Sequence, residues 1–286
     1  MFSFAGNVIS SRVTDFAISV DSLEKWFPPA LSGWRAFLQP FATAITPALR
    51  GISLQVGQGE AVALLGANGA GKTTLLRILA TLLLPTKGSA RLAGHDAVRE
   101  PAAVRRQLGY HAGSDRGFYS RLTGRENLQF FGRLNHLSKD YLDARIRSLG
   151  EQFKLGEALD RQVRFLSSGT IQRLSLLRSV LHQPRVLLLD EPTRSLDAIA
   201  AAEFRRFLKK EVLSAQGTGT SLLFASHMLP EIEFLADRVA ILQQGAIIAC
   251  EAPAALKARH SVATLEELFF RLTGHDIQPV EEPHPA

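Results

Sequence analysis

A glycine-rich segment at residues 66–73 constrains the fold of this chain more than any other feature. It follows a short apolar run, AVALL at residues 61–65, and it precedes an apolar-rich stretch with helical spacing. A short continuous apolar run bounded by glycine is typical of a strand that is buried on both faces. We therefore expect a buried strand, a tight glycine loop and a helix in direct succession, as in an α/β protein.

The loop matches the phosphate-binding pattern G-x-x-x-x-G-K-[ST] without deviation. Its residues are Gly66, Ala67, Asn68, Gly69, Ala70, Gly71, Lys72 and Thr73. Glycines let the backbone wrap an anion with several N–H groups pointing inward, and the following helix adds the positive end of its dipole. Lys72 is expected to contact the β- and γ-phosphates of a nucleotide, and Thr73 to hold Mg²⁺. A plain glycine turn with a surface lysine fits this setting poorly, and the spacing is not the G-x-G-x-x-G of a dinucleotide fold.

Three further apolar runs predict the rest of the central sheet. They are RVLLL at 185–189, SLLFAS at 221–226 and RVAIL at 238–242. Helical segments separate them, and such strands covered by helices indicate a largely parallel sheet with both faces buried. The predicted fold is an α/β P-loop NTPase with a RecA-like core. The helix after the phosphate loop is expected to run to Leu84, where Pro85 stops it.

Shorter strand signals predict antiparallel structure beside this core. FAISV at 16–20 and LRGISLQV at 49–56 show partial period-two alternation and are candidate strands of an antiparallel β subdomain. The tripeptide QQG at 243–245 lies between two apolar runs and predicts a small hairpin.

The remaining segments predict one large domain with two additions. Residues 99–182 show no convincing strand beyond one that ends near Tyr110, so we expect an inserted helical subdomain there. The segment 28–47 contains four prolines and three bulky aromatic residues, which indicates an ordered insertion. The domain is expected to span 15–275, followed by a flexible tail at 276–286.

Composition narrows the setting of the chain. With 286 residues, 46% of them hydrophobic and 21% charged, it is expected to be globular rather than disordered, rod-like or disulfide-stapled. The net charge of +6 fits nucleic acid, an anionic membrane surface or a phosphorylated ligand. The single cysteine, Cys250, favours a reducing compartment. No secretory signal is evident, and no apolar stretch approaches the ~18–20 residues of a spanning helix.

Two adjacent carboxylates, Asp190 and Glu191, follow the apolar run VLLL. The carboxyl end of a buried strand is where α/β sheets place ligand-binding groups. Asp190 is expected to bind Mg²⁺ through water, and Glu191 to polarise the attacking water. A polar strand end that simply meets solvent is the alternative, and the phosphate loop makes it less favoured.

Three more motifs complete the pattern, and together they carry a resemblance. Leu166-Ser167-Ser168-Gly169-Thr170 precedes a helical stretch, Ser195-Leu196-Asp197 follows the acidic pair, and Ser226-His227 ends a later strand. In this order the set closely resembles the nucleotide-binding subunit of ABC transporters. The likeness covers about residues 15 to 275.

The resemblance implies an ATP-dependent homodimer in which two copies share ATP and Mg²⁺. The signature residues Ser167, Ser168, Gly169 and Thr170 of one copy would contact the ATP held by the phosphate loop of the other. Asp197 matches the D-loop aspartate at the interface, and His227 matches the switch histidine that contacts the γ-phosphate and orients the water. The implied catalytic residues are Glu191, His227 and Lys72. The implied ATP-binding residues are Phe27, Gly66, Ala67, Asn68, Gly69, Ala70, Gly71, Lys72, Thr73 and Thr74.

The adenine-stacking ring has two candidates in the sequence. The segment Leu23-Glu24-Lys25-Trp26-Phe27 resembles the L-x-K-x-aromatic segment of the family, which favours Phe27. Trp26 is the competitor, and packing of both rings in the core or insertion is the structural alternative.

Two departures from the family pattern affect the site. Gly113 occupies the position of the Q-loop glutamine, and a glycine has no side chain to reach Mg²⁺ or water. Asp115 is a hard oxygen donor that would replace it as a metal ligand, against the alternative of a solvated loop aspartate. Ser168 replaces a signature glycine, while Gly169 is retained.

The partner implied by the family is a separate membrane-spanning permease, which places the chain at the cytoplasmic face of the membrane as a peripheral subunit. Residues 264–274 resemble the C-terminal ending of drug- and lipid-exporting ABC-2 subunits, which favours export. Residues 116–147 carry seven basic and three acidic residues and fit either a permease-docking surface or a solvated helical face. The alternative function is a soluble ABC ATPase acting on ribosomes or nucleic acid. No nucleic-acid partner is expected, because the chain has one cassette and no heptad arm.

Overall fold

A computed structural model describes residues 16–28, 46–113, 117–213 and 219–273. The strands in chain order are β1 (Phe16–Phe27), β2 (Thr46–Gly57), β3 (Ala61–Leu65), β4 (Lys87–Leu92), β5 (His95–Asp96), β6 (Leu108–His111), β7 (Val186–Asp190), β8 (Ser221–Ala225), β9 (Arg238–Gln243) and β10 (Ala246–Glu251). The helices are α1 (Lys72–Leu79), α2 (Pro101–Gln107), α3 (Gly124–Leu134), α4 (Lys139–Gln152), α5 (Ser168–Val180), α6 (Ala198–Phe207), α7 (Leu229–Leu235), α8 (Pro253–His260) and α9 (Leu265–Thr273).

The strands form a six-stranded sheet in the order β10-β9-β3-β8-β7-β6 and a four-stranded sheet in the order β2-β1-β4-β5. The pairs from β9 to β6 are parallel, and β10 joins the edge antiparallel. The four-stranded sheet is antiparallel throughout. The predicted α/β fold, with a largely parallel sheet and an antiparallel β subdomain, is therefore confirmed.

Strand β3 shows why these sequences form buried strands. All five of its residues are buried, and its side chains alternate between two hydrophobic clusters. Ala61, Ala63 and Leu65 pack with the helices α3 to α5, whereas Val62 and Leu64 pack with α1 and the antiparallel sheet. Because successive side chains of a strand point to opposite faces, a continuous apolar run is what a strand between two cores requires.

Helix α1 is shorter than the sequence predicts. It ends at Leu79 rather than Leu84, because Thr81 adopts a left-handed conformation with φ 60°. The N–H of Thr81 donates to the carbonyl of Ile78 (3.0 Å) and the N–H of Leu82 to that of Arg77 (2.9 Å). These two bonds form a Schellman cap, which usually carries glycine at the position of Thr81, so the stop signal is absent from the sequence.

Strand β1 is longer than predicted, since it runs to Phe27 rather than ending at residue 20. Its pairing with β2 shifts register between Val20 and Leu23, and Ser22 has a positive φ of 46°. A bulge therefore interrupts the alternation in the sequence while the hydrogen-bonded ladder continues.

Helix α3 begins at a capping box formed by Thr123 and Glu126. The Thr123 hydroxyl accepts the N–H of Glu126, and the Glu126 carboxylate accepts the N–H of Thr123 at 2.7 Å. This capping box fixes where the helix begins.

The other predicted strands match within two to three residues at their ends, and the predicted hairpin at 243–245 is the β9–β10 turn with positive φ at Gln244 and Gly245. Most of the predicted insertion (residues 29–45), Asp115 and the predicted tail lie outside the described residues. The range 99–182 includes α3 to α5 but also β6 of the large sheet, and its limits as a subdomain stay a prediction. In the described part of the chain, no helix is long and apolar enough to cross a membrane.

Candidate active site

The candidate site lies at one edge of the six-stranded sheet, where four neighbouring parallel strands end. The phosphate loop follows β3, Ser226-His227 follows β8, Asp190-Glu191 ends β7, and Ala112-Gly113 follows β6. Because these strands are parallel and adjacent, their carboxyl ends bring four segments that are distant in sequence to one place.

These segments enclose a cleft of about 520 Å³. Its lining residues are Asn68, Gly69, Ala70, Gly71, Lys72, Thr73, Thr74, Arg77, Ala112, Gly113, Asp190, Glu191, Arg194 and His227. Most of the predicted catalytic and phosphate-loop residues therefore meet there. Two charged lining residues, Arg77 and Arg194, were not predicted.

Lys72 is held inside the phosphate loop. Lys72 is 7% exposed, and its ammonium donates to the carbonyl oxygens of Gly66 (2.5 Å) and Ala67 (3.2 Å). Burial lowers the pKa of Lys72, and the nearby carboxylates of Glu191 and Asp190 oppose that shift. The lysine is thus positioned before any ligand arrives, beside the free N–H groups of the first turn of α1.

Gly71 shows why the loop needs glycine. Its φ is 110°, and a Cβ atom there would lie 2.7 Å from the carbonyl oxygen of Ala48. Both the backbone conformation and the close approach of β2 exclude a side chain at this position.

Asp190 and Thr73 form an oxygen-rich pair opposite the loop. Asp190 is 6% exposed. Burial raises the pKa of Asp190, and the nearby Thr73 side chain lowers it. A hydroxyl and a carboxylate are hard donors of the kind that Mg²⁺ takes alongside phosphate oxygens, so the residues present fit the metal.

Glu191 and His227 face each other across the cleft. The Oε2 atom of Glu191 lies 2.5 Å from Nδ1 of His227. Glu191 has a left-handed backbone conformation, with φ 49°, and its N–H donates to the carbonyl of Ala225 on β8 at 2.9 Å. Its side chain is 18% exposed and that of His227 is 56% exposed, so both can be reached from the cleft.

Gly113 leaves no room for the side chain that the family pattern places there. Its φ is 64°, and a Cβ atom would lie 2.4 Å from the carbonyl oxygen of Asp190. The loop after β6 therefore packs directly on the backbone of the acidic pair. The proposed replacement, Asp115, lies outside the described residues.

Comparison with known proteins agrees with this geometry. Residues 49–194 match the family described as ABC transporter. This chain belongs to the ABC transporter family. It is 39% identical over 204 residues to the ABC transporter ATP-binding protein NatA of Bacillus subtilis (strain 168), an alignment that covers 71% of this chain and 81% of NatA. As a member of this family the chain is an ATP-binding transporter subunit and an ATPase.

Two further matches support membership of the ABC family. The chain is 40% identical over 240 residues to the daunorubicin resistance ATP-binding protein DrrA3 of Streptomyces coeruleorubidus, which covers 83% of this chain and 68% of DrrA3. A solved structure of an ATP-binding subunit of an ABC transporter has a TM-score of 0.76 and 26% identity, and the match covers 90% of this chain and 99% of that chain.

The ABC signature begins helix α5 and does not line the cleft of its own chain. Ser167 is the N-cap, and its hydroxyl accepts the N–H of Thr170 at 3.2 Å. Ser168 is the first helical residue, and a Cβ atom on Gly169 would lie 3.6 Å from the carbonyl of Ser195. Within the described residues, the cleft is therefore lined without any contribution from the signature.

Two other predicted ABC residues also lie outside the cleft. Asp197 is the exposed N-cap of α6 and accepts the N–H of Ala200 at 2.8 Å, a bond that lowers its pKa. Phe27 is 38% exposed at the end of β1, with the Lys25 ammonium 5.2 Å from its ring centroid. The competing ring, Trp26, has Lys87 over it at 4.7 Å. The roles of Asp197 and Phe27 stay predictions.

The unpredicted residues carry weak sequence signals. Arg77 stands five residues after Lys72 on α1. Burial and the neighbouring Asp190 raise the pKa of Tyr110, and Arg77 opposes that rise. Arg194 stands between the acidic pair and Asp197, and this proximity is the one signal that could have identified it.

Proposed function

We propose that this subunit uses ATP and Mg²⁺ to drive export through a separate membrane-spanning subunit, as a homodimer at the cytoplasmic face of the membrane. The observation that carries the catalytic part is the 2.5 Å contact between Glu191 and His227 in the phosphate cleft. The ATP-binding domain is proposed to span 15–275, with a tail at 276–286.

The chain's own groups divide the work of phosphoryl transfer. Lys72 and the first-turn amides of α1 bind the phosphates. Asp190 and Thr73 would hold Mg²⁺, which would neutralise developing charge when bound. Glu191 accepts a proton from the attacking water, and His227 holds that carboxylate and the water in line. No covalent intermediate is needed, because positioning and charge stabilisation supply the catalysis.

The exposed face around the signature supports a dimer. Ser167 and the N-terminus of α5 form a second anion-binding end that this chain's own cleft does not use. Two bulky apolar side chains near the predicted interface residues are exposed: Phe165, two residues before Ser167, is 61% exposed, and Ile199, two residues after Asp197, is 71% exposed. A second copy would cover these side chains and place its own ATP against the signature.

An aromatic cluster on and beside α3 supports a permease-docking surface. Its ring contacts are Phe118–Phe131 at 6.1 Å, Tyr119–Phe130 at 5.1 Å and Phe130–Phe131 at 5.2 Å between centroids. Arg178 lies between Phe118 and Phe131, 4.5 and 4.7 Å from their centroids. Tyr119 is 52% exposed, so the cluster offers apolar area beside a cation for a partner helix.

The direction of transport rests on relatives and on the C-terminal run. DrrA3 is described as a daunorubicin resistance protein, which fits removal of a compound from the cell. Residues 264–274, which resemble the ending of exporter subunits, form α9 up to Thr273. Export is therefore the proposed direction.

The decisive test replaces Glu191 with glutamine. We expect Glu191→Gln to bind ATP with unchanged affinity, to lose hydrolysis by at least about 100-fold and to accumulate as a closed dimer. Glu157→Gln, at an exposed glutamate distant from the cleft, is the matched control and should hydrolyse normally. Unchanged steady-state hydrolysis by Glu191→Gln would refute the assigned role.

Co-purification separates the transporter from the alternative. Recovery of the chain with a multi-spanning membrane protein supports the proposal. Recovery with ribosomes or nucleic acid, and without a membrane partner, would instead support a soluble ABC ATPase.

A further inference from the structure

The loop that follows Glu191 begins with two buried residues, although it belongs to no helix or strand. Pro192 is buried and Thr193 is 4% exposed. Each of these two residues is approached by a polar side chain, and the two side chains belong to different helices.

The first side chain is Gln172 of α5, which is 1% exposed. Its Nε2 group donates to the carbonyl of Pro192 at 2.8 Å and to Nε2 of His111 at 3.0 Å. Because an amide nitrogen can only donate, the His111 Nε2 atom accepts, and its Nδ1–H donates to the Ser175 hydroxyl at 3.0 Å. Gln172 therefore connects α5, the helix that begins with the signature, to the end of β6 and to the loop after Glu191.

The second side chain is Glu231 of α7, which is fully buried. The Ser226 hydroxyl donates to its Oε2 atom at 2.5 Å. Burial raises the pKa of this carboxyl, and the Thr193 side chain lies near enough to it to oppose that shift. Ser226 directly precedes His227. Glu231 therefore joins the histidine segment to the loop after the base.

Neither side chain is fully satisfied, which argues against a purely stabilising role. The Oε1 atoms of Gln172 and Glu231 are buried and have no partner among the described residues. A buried polar atom without a partner costs free energy of folding, so apolar packing would serve stability better. Local rules are broken in this way mainly at functional sites.

We propose that Gln172 and Glu231 are positioning residues that hold Pro192 and Thr193 from two different helices and thereby set the Glu191 carboxylate against His227. This inference rests on the proposed function of Glu191 as the base. A movement of α5 would be transmitted to Glu191 through Gln172. A movement of the Ser226-His227 segment would be transmitted to Glu191 through Glu231.

The test compares Gln172→Met and Glu231→Met with the unmodified chain. Each should lower kcat by about 10- to 100-fold, the loss expected when a catalytic group is misplaced. KM and the dissociation constant of ATP, measured by titration, should change less than about twofold, because the phosphate loop is untouched. Glu231→Gln, which keeps an oxygen for Ser226, should restore most of the rate.

Two variants keep the test falsifiable. Ser179→Ala removes a buried hydroxyl of α5 whose one hydrogen bond within the described part of the chain is to the Leu176 carbonyl, and it should leave kcat unchanged. Thr193→Val removes only the hydroxyl that faces Glu231, so it tests the inference even if the methionine variants fail to fold. It should lower kcat several-fold at constant KM.

The outcomes separate this inference from the proposed function. If the unmodified chain hydrolyses ATP and kcat of the folded Gln172, Glu231 and Thr193 variants is unchanged, the inference alone is overturned. If the unmodified chain does not hydrolyse ATP, the proposed function fails and the inference fails with it.

Discussion

At the scale of single residues, Gly113 shows how tightly the cleft is closed on the side of β6. We expect Gly113→Ala to destabilise the fold by more than the roughly 1–2 kcal/mol of a left-handed alanine, because its Cβ would also collide with the Asp190 carbonyl. Gly59→Ala is the matched control, since Gly59 has a similar φ of 70° and nothing within 4 Å of its Cβ position. Urea unfolding measures the free energy of unfolding of both variants. An equal loss in the two would contradict the packing argument.

Arg194 is expected to contribute to turnover. It is exposed, lines the cleft with Glu191 and His227, and forms no ion pair among the described residues. Arg194→Ala should lower kcat roughly 10-fold, because one cation that stabilises the transferring phosphoryl group is lost. Arg206→Ala removes the same charge outside the cleft and should have no effect on steady-state hydrolysis. A rate within twofold of the unmodified chain would reject the role.

The phosphate loop and the acidic pair could be predicted because their patterns encode local backbone geometry. Lys72, Asp190 and Glu191 stand at the ends of recognisable apolar strands. Gln172 and Glu231 could not be predicted, because their partners are brought together only by tertiary packing and their spacing follows ordinary helices.

At the scale of elements, Asn127 secures the segment that leads into α3. It is fully buried, accepts the N–H of Tyr119 at 2.8 Å and donates to the carbonyls of Tyr119 (3.1 Å) and Thr123 (2.9 Å). Asn127→Leu should lower the free energy of unfolding by about 2–3 kcal/mol, because these backbone groups lose their partner.

Gln129→Leu provides the control on the same helix. Among the residues that the structure describes, Gln129 makes one side-chain bond, to Asp143 at 2.8 Å, so its loss should cost about 1 kcal/mol or less. If the two variants were equally stable in chemical denaturation, Asn127 would not be the anchor of this segment.

Element types were predictable where apolar runs are continuous, and element ends were not. Helix α1 stops at Leu79 through a cap built on Thr81, and β1 continues past a bulge at Ser22. In both cases a non-glycine residue adopts a positive φ that no residue preference signals.

At the scale of the whole molecule, buried histidines make the fold sensitive to acid. Burial lowers the pKa of His111 to about 3, from an ordinary value near 6.5. Between these values the unfolded chain binds a proton that the folded chain refuses, so stability is complete above about pH 6.5 and falls by up to about 1.4 kcal/mol per pH unit below it. The lowered pKa of His182 acts in the same direction.

Replacement of His111 should therefore flatten this dependence. We expect the loss of unfolding free energy between pH 7.5 and 5.5 to be smaller by about 1 kcal/mol in His111→Gln than in the unmodified chain. His136→Gln, at an exposed position, is the control. An unaltered slope in urea unfolding at the two pH values would show that His111 does not carry the effect.

The side chains of strand β3 alternate between two different cores, and the phosphate loop directly follows the strand. Neither of these two cores can unfold without releasing the strand that positions the phosphate loop. Heating should accordingly produce one cooperative transition, and saturating ATP should shift the whole of it upward rather than protect a single core. Binding of ATP at the phosphate loop therefore requires both cores to be folded.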